Sequence, residues 1–159
     1  MLKPVSPAFN AVIMRLADRF NPRGYAVLND APDTLAKLQA YHAEHGRIAV
    51  WSGKSDRTIY ADDEVNFAFR AWHDARHLAL GADFTPEGEA LVAAQQIADV
   101  LILYGADAPK LWLRLIEAEI VGQQRYQERH GAFPENQRGF DLAYIRNPVA
   151  ALASPAYLA

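Results

Sequence analysis

The chain has no cysteine among its 159 residues, which excludes a disulfide framework, a thiolate zinc site and a cysteine nucleophile. Any metal held here is held by nitrogen and oxygen. Positive charge is sparse and scattered: 16 Lys and Arg stand against 19 Asp and Glu, for a net charge of -3. The electrostatic footprint of a nucleic-acid partner is therefore missing, and no nucleic acid is expected. No uninterrupted apolar run reaches the roughly 18 residues that span a bilayer, and the N-terminal stretch has too many polar interruptions for a signal peptide. No transmembrane segment is expected, and the protein is expected to be cytoplasmic. Low-complexity tracts and internal repeats are also lacking, while 51% hydrophobic and 22% charged residues are the composition of a folded chain. That length fits a single domain over residues 1–159.

What is present is mostly helical periodicity. Ser6 and Pro7 form a helix start, after which Phe9, Val12, Ile13, Leu16 and Phe20 recur at helical spacing. "APDTLAKLQAYHAEHG" repeats the pattern with Gly46 as its stop. "RIAVWSG" and "RTIYA" are β-like runs on either side of a turn-prone "KSD", and predict a short β-hairpin. A third helix opens on the acids of "ADDE" and closes on Gly81, and a fourth starts at Thr85 and Pro86 and runs to Gly105. The last long helix begins after Asp107 and Pro109. Residues 132–159, richer in proline and asparagine, predict an irregular segment packed on the core through Phe140, Leu142, Tyr144 and Ile145. The fold class expected is mainly α, a single-domain helical bundle with one short β-hairpin before the third helix.

The third helix carries "HDARH". Residues four apart share a helix face, so His73 and His77 can present their rings to one point, as two ligands of a metal must. Glu89 lies in the first turn of the next helix, and an antiparallel pairing across the short "GADF" link brings it back toward the histidines. Glu89 is otherwise an ordinary first-turn acid that complements the helix dipole. Two histidines and one carboxylate make a mononuclear site with a position left for water or substrate, the catalytic rather than the structural type of zinc site. Asp74 is open to several roles: a fourth ligand, an acid/base group, an orienting partner of an imidazole, or a surface ion pair with Arg70 or Arg76.

His73, Asp74, His77 and Glu89 spell H-D-x-x-H, eleven residues, then E. That pattern resembles the metal-binding motif of the coenzyme Q biosynthesis protein four family over about residues 65 to 98. The resemblance implies a largely helical protein in which these four residues bind a divalent metal, zinc foremost. It also implies membrane or protein association and a prenylated aromatic carboxylate as substrate, at the ring-decarboxylation and hydroxylation stage of ubiquinone synthesis. A strand pair feeding a helix with two histidines is also similar to compact zincin metallopeptidases. Those have glutamate where Asp74 stands, and the shorter side chain displaces the carboxylate by about 1 Å, enough to impair proton transfer. A non-catalytic binding or structural protein, with the metal as a staple between helices, is the remaining class. A small-molecule substrate and a homo-oligomeric or protein partner stay open.

Outside the motif, Glu119 and Gln123 share a helical stripe with Trp112, Ile116 and Tyr126, so a carboxylate is expected inside the fold. A buried acid needs a partner: the metal, a histidine, or an arginine. Gln96 and Asp99 share the face of Glu89 and border the same site or the solvent. His42, His45 and His130 are helix-end histidines that suit the dipole. "GKS" at residues 53–55 lacks the earlier glycine and the following helix of a phosphate-binding loop.

Overall fold

In the computed structural model, which describes residues 1–159, Ser6 caps the first helix as its sequence requires. Its hydroxyl accepts from the Phe9 amide at 3.1 Å, and α1 (Pro7–Phe20) buries Phe9, Val12, Ile13, Leu16 and Ala17 along one stripe. That stripe lies on α3 (Asp63–Leu80). The main core is formed by α1, α3, α4 (Pro86–Tyr104) and α5 (Lys110–Glu117), with Trp72, Ile13 and Leu115 completely enclosed. Each such side chain removes on the order of 2 kcal/mol worth of apolar surface from water.

The mainly helical, single-domain bundle with one small sheet ahead of its core is as expected, but the sheet is not a hairpin. Its strands are β1 (Ala26–Leu28) and β2 (Ala49–Trp51), and they run parallel, with Ala26 opposite Ala49 and Leu28 opposite Trp51. Parallel strands need a long crossover, and α2 (Leu35–His45) supplies it. "RTIYA" is turn rather than strand. Ile59 and Tyr60 are buried there as plugs beneath the loop, while the Ile59 carbonyl accepts from Val5 and that of Tyr60 from Asn10. A short β-branched and aromatic run reads the same in a buried loop as in a strand.

Two further corrections concern helices. The last long helix is interrupted: after α5 comes a π-helical turn, Ala118–Gly122, and only then α6 (Gln123–His130). The segment expected to be irregular holds α7 (Gln137–Arg146) and α8 (Pro148–Ala153). Asn136 and Asn147, which read as loop formers, are the N-caps that start them, accepting from the Gly139 and Ala150 amides. Phe140 and Tyr144 are buried in a second cluster with Tyr126, while Ile145 is partly buried against it. Finally, α4 with the turn after it, residues 86–107, is long and apolar enough to cross a membrane by length and composition alone. Its polar interruptions hid this from a count of consecutive apolar residues.

Two of those interruptions, Gln96 and Asp99, are buried. Asp99 of α4, 3% exposed, accepts from Trp72 Nε1 at 2.9 Å and Arg76 Nε at 2.8 Å on α3, with Arg76 Nη2 on its other oxygen. Gln95 Nε2 adds a contact at 3.2 Å. Removing one member of such a network leaves the others buried and unpaired, so Asp99→Ala is expected to lower unfolding stability in urea by about 3–5 kcal/mol. An Ile102→Ala change on the exposed face of the same helix is expected to cost less than about 1 kcal/mol.

Candidate metal centre

The site is made where α3 ends and α4 begins. Gly81 takes the left-handed conformation that stops α3, at φ 61°, a backbone state that side-chain-bearing residues rarely adopt. The chain then folds back on His77. The Ala82 amide donates to the His77 carbonyl at 3.1 Å, and the Ala82 carbonyl accepts from His77 Nδ1 at 2.8 Å. Thr85 caps α4 by accepting from the Gly88 amide, with Pro86 in the first turn. Gly88 has to be glycine for a different reason: a Cβ there would sit 1.8 Å from the Asp83 carbonyl oxygen. The close approach it permits sets the position of Glu89.

His73, His77 and Glu89 come together as the spacing predicts. Their ligand atoms all lie within 4.8 Å of one another. Glu89 Oε2 is 3.0 Å from His73 Nε2 and 3.4 Å from His77 Nε2, and the two Nε2 atoms are 3.0 Å apart. His77 is fully buried under Phe84, with ring centroids 4.3 Å apart. His73 stacks on Phe69 and holds its Nδ1 2.8 Å from Gln96 Oε1.

The outer hydrogen bonds decide what the inner atoms are. A backbone carbonyl only accepts, so His77 Nδ1 carries the hydrogen and its Nε2 is left with a lone pair. Gln96 Oε1 sets the same tautomer on His73. Two imidazole lone pairs and a carboxylate oxygen then converge on one point, an arrangement that repels itself unless a cation or a proton sits among them. Histidine ligands held through their second nitrogen in this way are the usual support of a protein metal site. The cluster can therefore coordinate a metal ion through two nitrogens and one oxygen.

Asp74 is not among the gathered atoms. Its carboxylate has no hydrogen bond or ion pair: Arg76 is taken by Asp99, and Arg70 is held by the carbonyls of Trp51 and Gly53, the latter at 2.7 Å. Asp74 instead borders a cleft with Arg70, His73, Phe84 and Glu89. Burial raises its pKa to about 6, against the opposing pull of His73 and His77.

A larger cavity, about 310 Å³, opens beside His73 and Glu89. Trp51, Phe69 and Phe133 give it flat apolar walls, and Arg70, Glu119 and Gln123 give it polar ones. Gln96, flagged by its helix face, is the partner of His73. Arg70 and Asp141 carried no signal as site residues, because the loop that anchors Arg70 and the helix that carries Asp141 were not legible. Compared with models of protein families, with curated proteins and with solved structures, the chain has no match.

Without a metal, the cluster is an ion pair that titrates. Burial pushes the His73 imidazole down, but the charge and hydrogen bond of Glu89 outweigh it and raise the pKa from 6.5 to about 9. Against its own burial, Glu89 is lowered from 4.5 to about 2 by His73 and His77. A raised histidine stabilises fully below pH 6.5 and loses that contribution as pH rises through about 9, whereas the depressed Glu89 loses its contribution as pH falls from 4.5 through about 2. Asp74, at about 6, is already ionised over most of the alkaline interval. The urea midpoint of metal-free protein is thus expected to fall between pH 6.5 and 9, and the fall is expected to vanish on metal loading, when the ion replaces the proton. Gly88→Ala is expected to displace Glu89 and weaken metal binding by about 1–3 kcal/mol, read by competition with a chromophoric chelator.

Proposed function

We propose that His73, His77 and Glu89 hold a single divalent metal, zinc before others, and that the protein is a metal-dependent enzyme acting on a small molecule received in the adjoining cavity. The observation that carries this reading is the convergence of two tautomer-fixed imidazoles and a carboxylate on one point of that cavity wall. Two neutral imidazoles and one carboxylate, without thiolate, suit zinc, and ferrous iron uses the same set in some enzymes. Bound there, the metal supplies Lewis-acid polarisation of an oxygen or nitrogen group of the substrate.

The chain's own residues do the rest. Arg70 contributes a guanidinium that no carboxylate neutralises within ion-pair distance, which favours an anionic group on the substrate. Trp51, Phe69 and Phe133 exclude water and favour a flat one. Those features support the substrate class implied by the H-D-x-x-H resemblance, a prenylated aromatic carboxylate. A cavity of about 310 Å³ suits the ring, and the isoprenoid tail would leave through the mouth. A purely structural metal is disfavoured by that cavity, since a staple between helices needs none. Peptidase chemistry is disfavoured by Asp74, whose side chain is one methylene shorter than the glutamate general base of the zincin motif.

Purified without an affinity tag and loaded with zinc, the protein is expected to retain one ion per chain by mass spectrometry. His77→Ala and Glu89→Ala are expected to lose it, and Asp74→Asn to keep it. Zinc at about a hundredfold excess over its Kd should add roughly 2.7 kcal/mol to wild-type stability and nothing to His77→Ala. Retention of zinc by both ligand variants would overturn the assignment.

A further inference from the structure

The same cavity is lined by a carboxyl group that the metal cluster does not use. The π-helical turn at Ala118–Gly122 carries Glu119 to the cavity wall, and the partner of Glu119 is another acid, Asp141 of α7, to which it is hydrogen-bonded. An ionised carboxylate only accepts, so two carboxyls in a hydrogen bond hold a proton between them. Gln123 Nε2 donates to both oxygens of Asp141, at 3.2 and 3.3 Å. Neither acid has a Lys, Arg or His within ion-pair distance. Asp141 is fully buried. Glu119 Oε1 is sealed from solvent and without a protein partner, and so is the hydroxyl of the fully buried Tyr60. The groups that face the pair electrostatically are Tyr60 from the preceding loop and Arg70 and His73 from α3.

We propose that Glu119 and Asp141 are a proton-sharing pair that acts as general base toward a weakly acidic ligand in the metal cavity, with Glu119 as the group that touches it. From its singly protonated state the pair can lose its proton and become a buried dianion, or gain one and become neutral. Burial favours the neutral form of both acids, and like charges in contact disfavour the dianion. The transfer therefore runs toward the pair. An O–H or N–H bond of the ligand breaks, its electron pair stays on the ligand, and the proton forms an O–H bond on Glu119. The return transfer restores the singly protonated pair. The ligand class that follows is a small molecule with an acidic O–H or N–H next to an oxygen able to coordinate. This substrate class rests on the metal reading, whereas the shared proton does not.

Two measurements test the proposal. In metal-free wild type at neutral pH, infrared spectroscopy should show the carbonyl stretch of a protonated carboxyl, lost in Glu119→Gln and in Asp141→Asn. On transfer to D₂O it should shift without global unfolding, because Glu119 lines the cavity. Absence of the band, or exchange only on global unfolding, would overturn the proposal. If zinc does not bind, the metal reading falls while this exchange still decides the pair. Acetohydroxamic acid is the probe for zinc-loaded protein, titrated calorimetrically in buffers of different ionisation enthalpy. Wild type is expected to release no proton to the buffer, since the pair keeps it, and both variants to release one. Proton release by wild type, or release that appears in Asp74→Asn and in neither pair variant, would sink the assignment.

Discussion

The carboxylate of Asp99 fixes α4 to α3, and the site depends on that attachment. Trp72 and Arg76 reach from α3 to that carboxylate, Trp72 to one oxygen and Arg76 to both, one residue before and three after His73. Gln96, three residues before Asp99 on α4, faces His73 itself. One side of the α3–α4 seam is thus a satisfied ionic network and the adjacent side a cluster that needs a proton or a cation at its centre. The network sets the separation of the helices, and the separation sets how closely Glu89 approaches the imidazoles.

Acids dominate the interior around the cavity. Glu89, Asp74, Glu119 and Asp141 are all wholly or largely withdrawn from water, with Arg70 and a protonated His73 as the nearby cations. Buried charge of one sign is tolerated only when protons or cations offset it. The two halves of the cavity solve this differently: the histidine half by geometry suited to an ion, the half between the π-helical turn and α7 by sharing a proton. A divalent ion beside His73 removes the proton that stabilises Glu89 and places positive charge near Glu119, so the two halves are electrostatically linked.

Periodicity and helix punctuation carried most of this architecture. Ser6, Thr34, Asp62 and Thr85 each cap the helix that follows them, and spacing four apart was sufficient to put His73 and His77 on one face. Glu89 was legible because the link between its helix and theirs is too short to allow anything but a tight reversal. Strand pairing was not legible, since β1 has only three residues and its partner lies beyond a helix. Asn136 and Asn147 act as caps only because the residues after them find apolar surface on α6 and the π-helical turn, which is a tertiary fact. Glu119 was recognised as an interior acid, but its partner was sought among metal, histidine and arginine. An acid with another acid is a pairing that charge complementarity never suggests.

The π-helical turn at Ala118–Gly122 is wider than the α-helices on either side of it, and both of those helices are pinned by their own packing. Taking out one residue between Ala118 and Gly122 would make α5 and α6 one regular helix and rotate either end against the other by about 100°. Tyr126 and His130 could then keep their places against α8 only if Glu119 left the cavity. The turn thus lets two helical phases coexist in one run of chain, one that puts Glu119 on the cavity wall and one that keeps Tyr126 and His130 against the C-terminal segment.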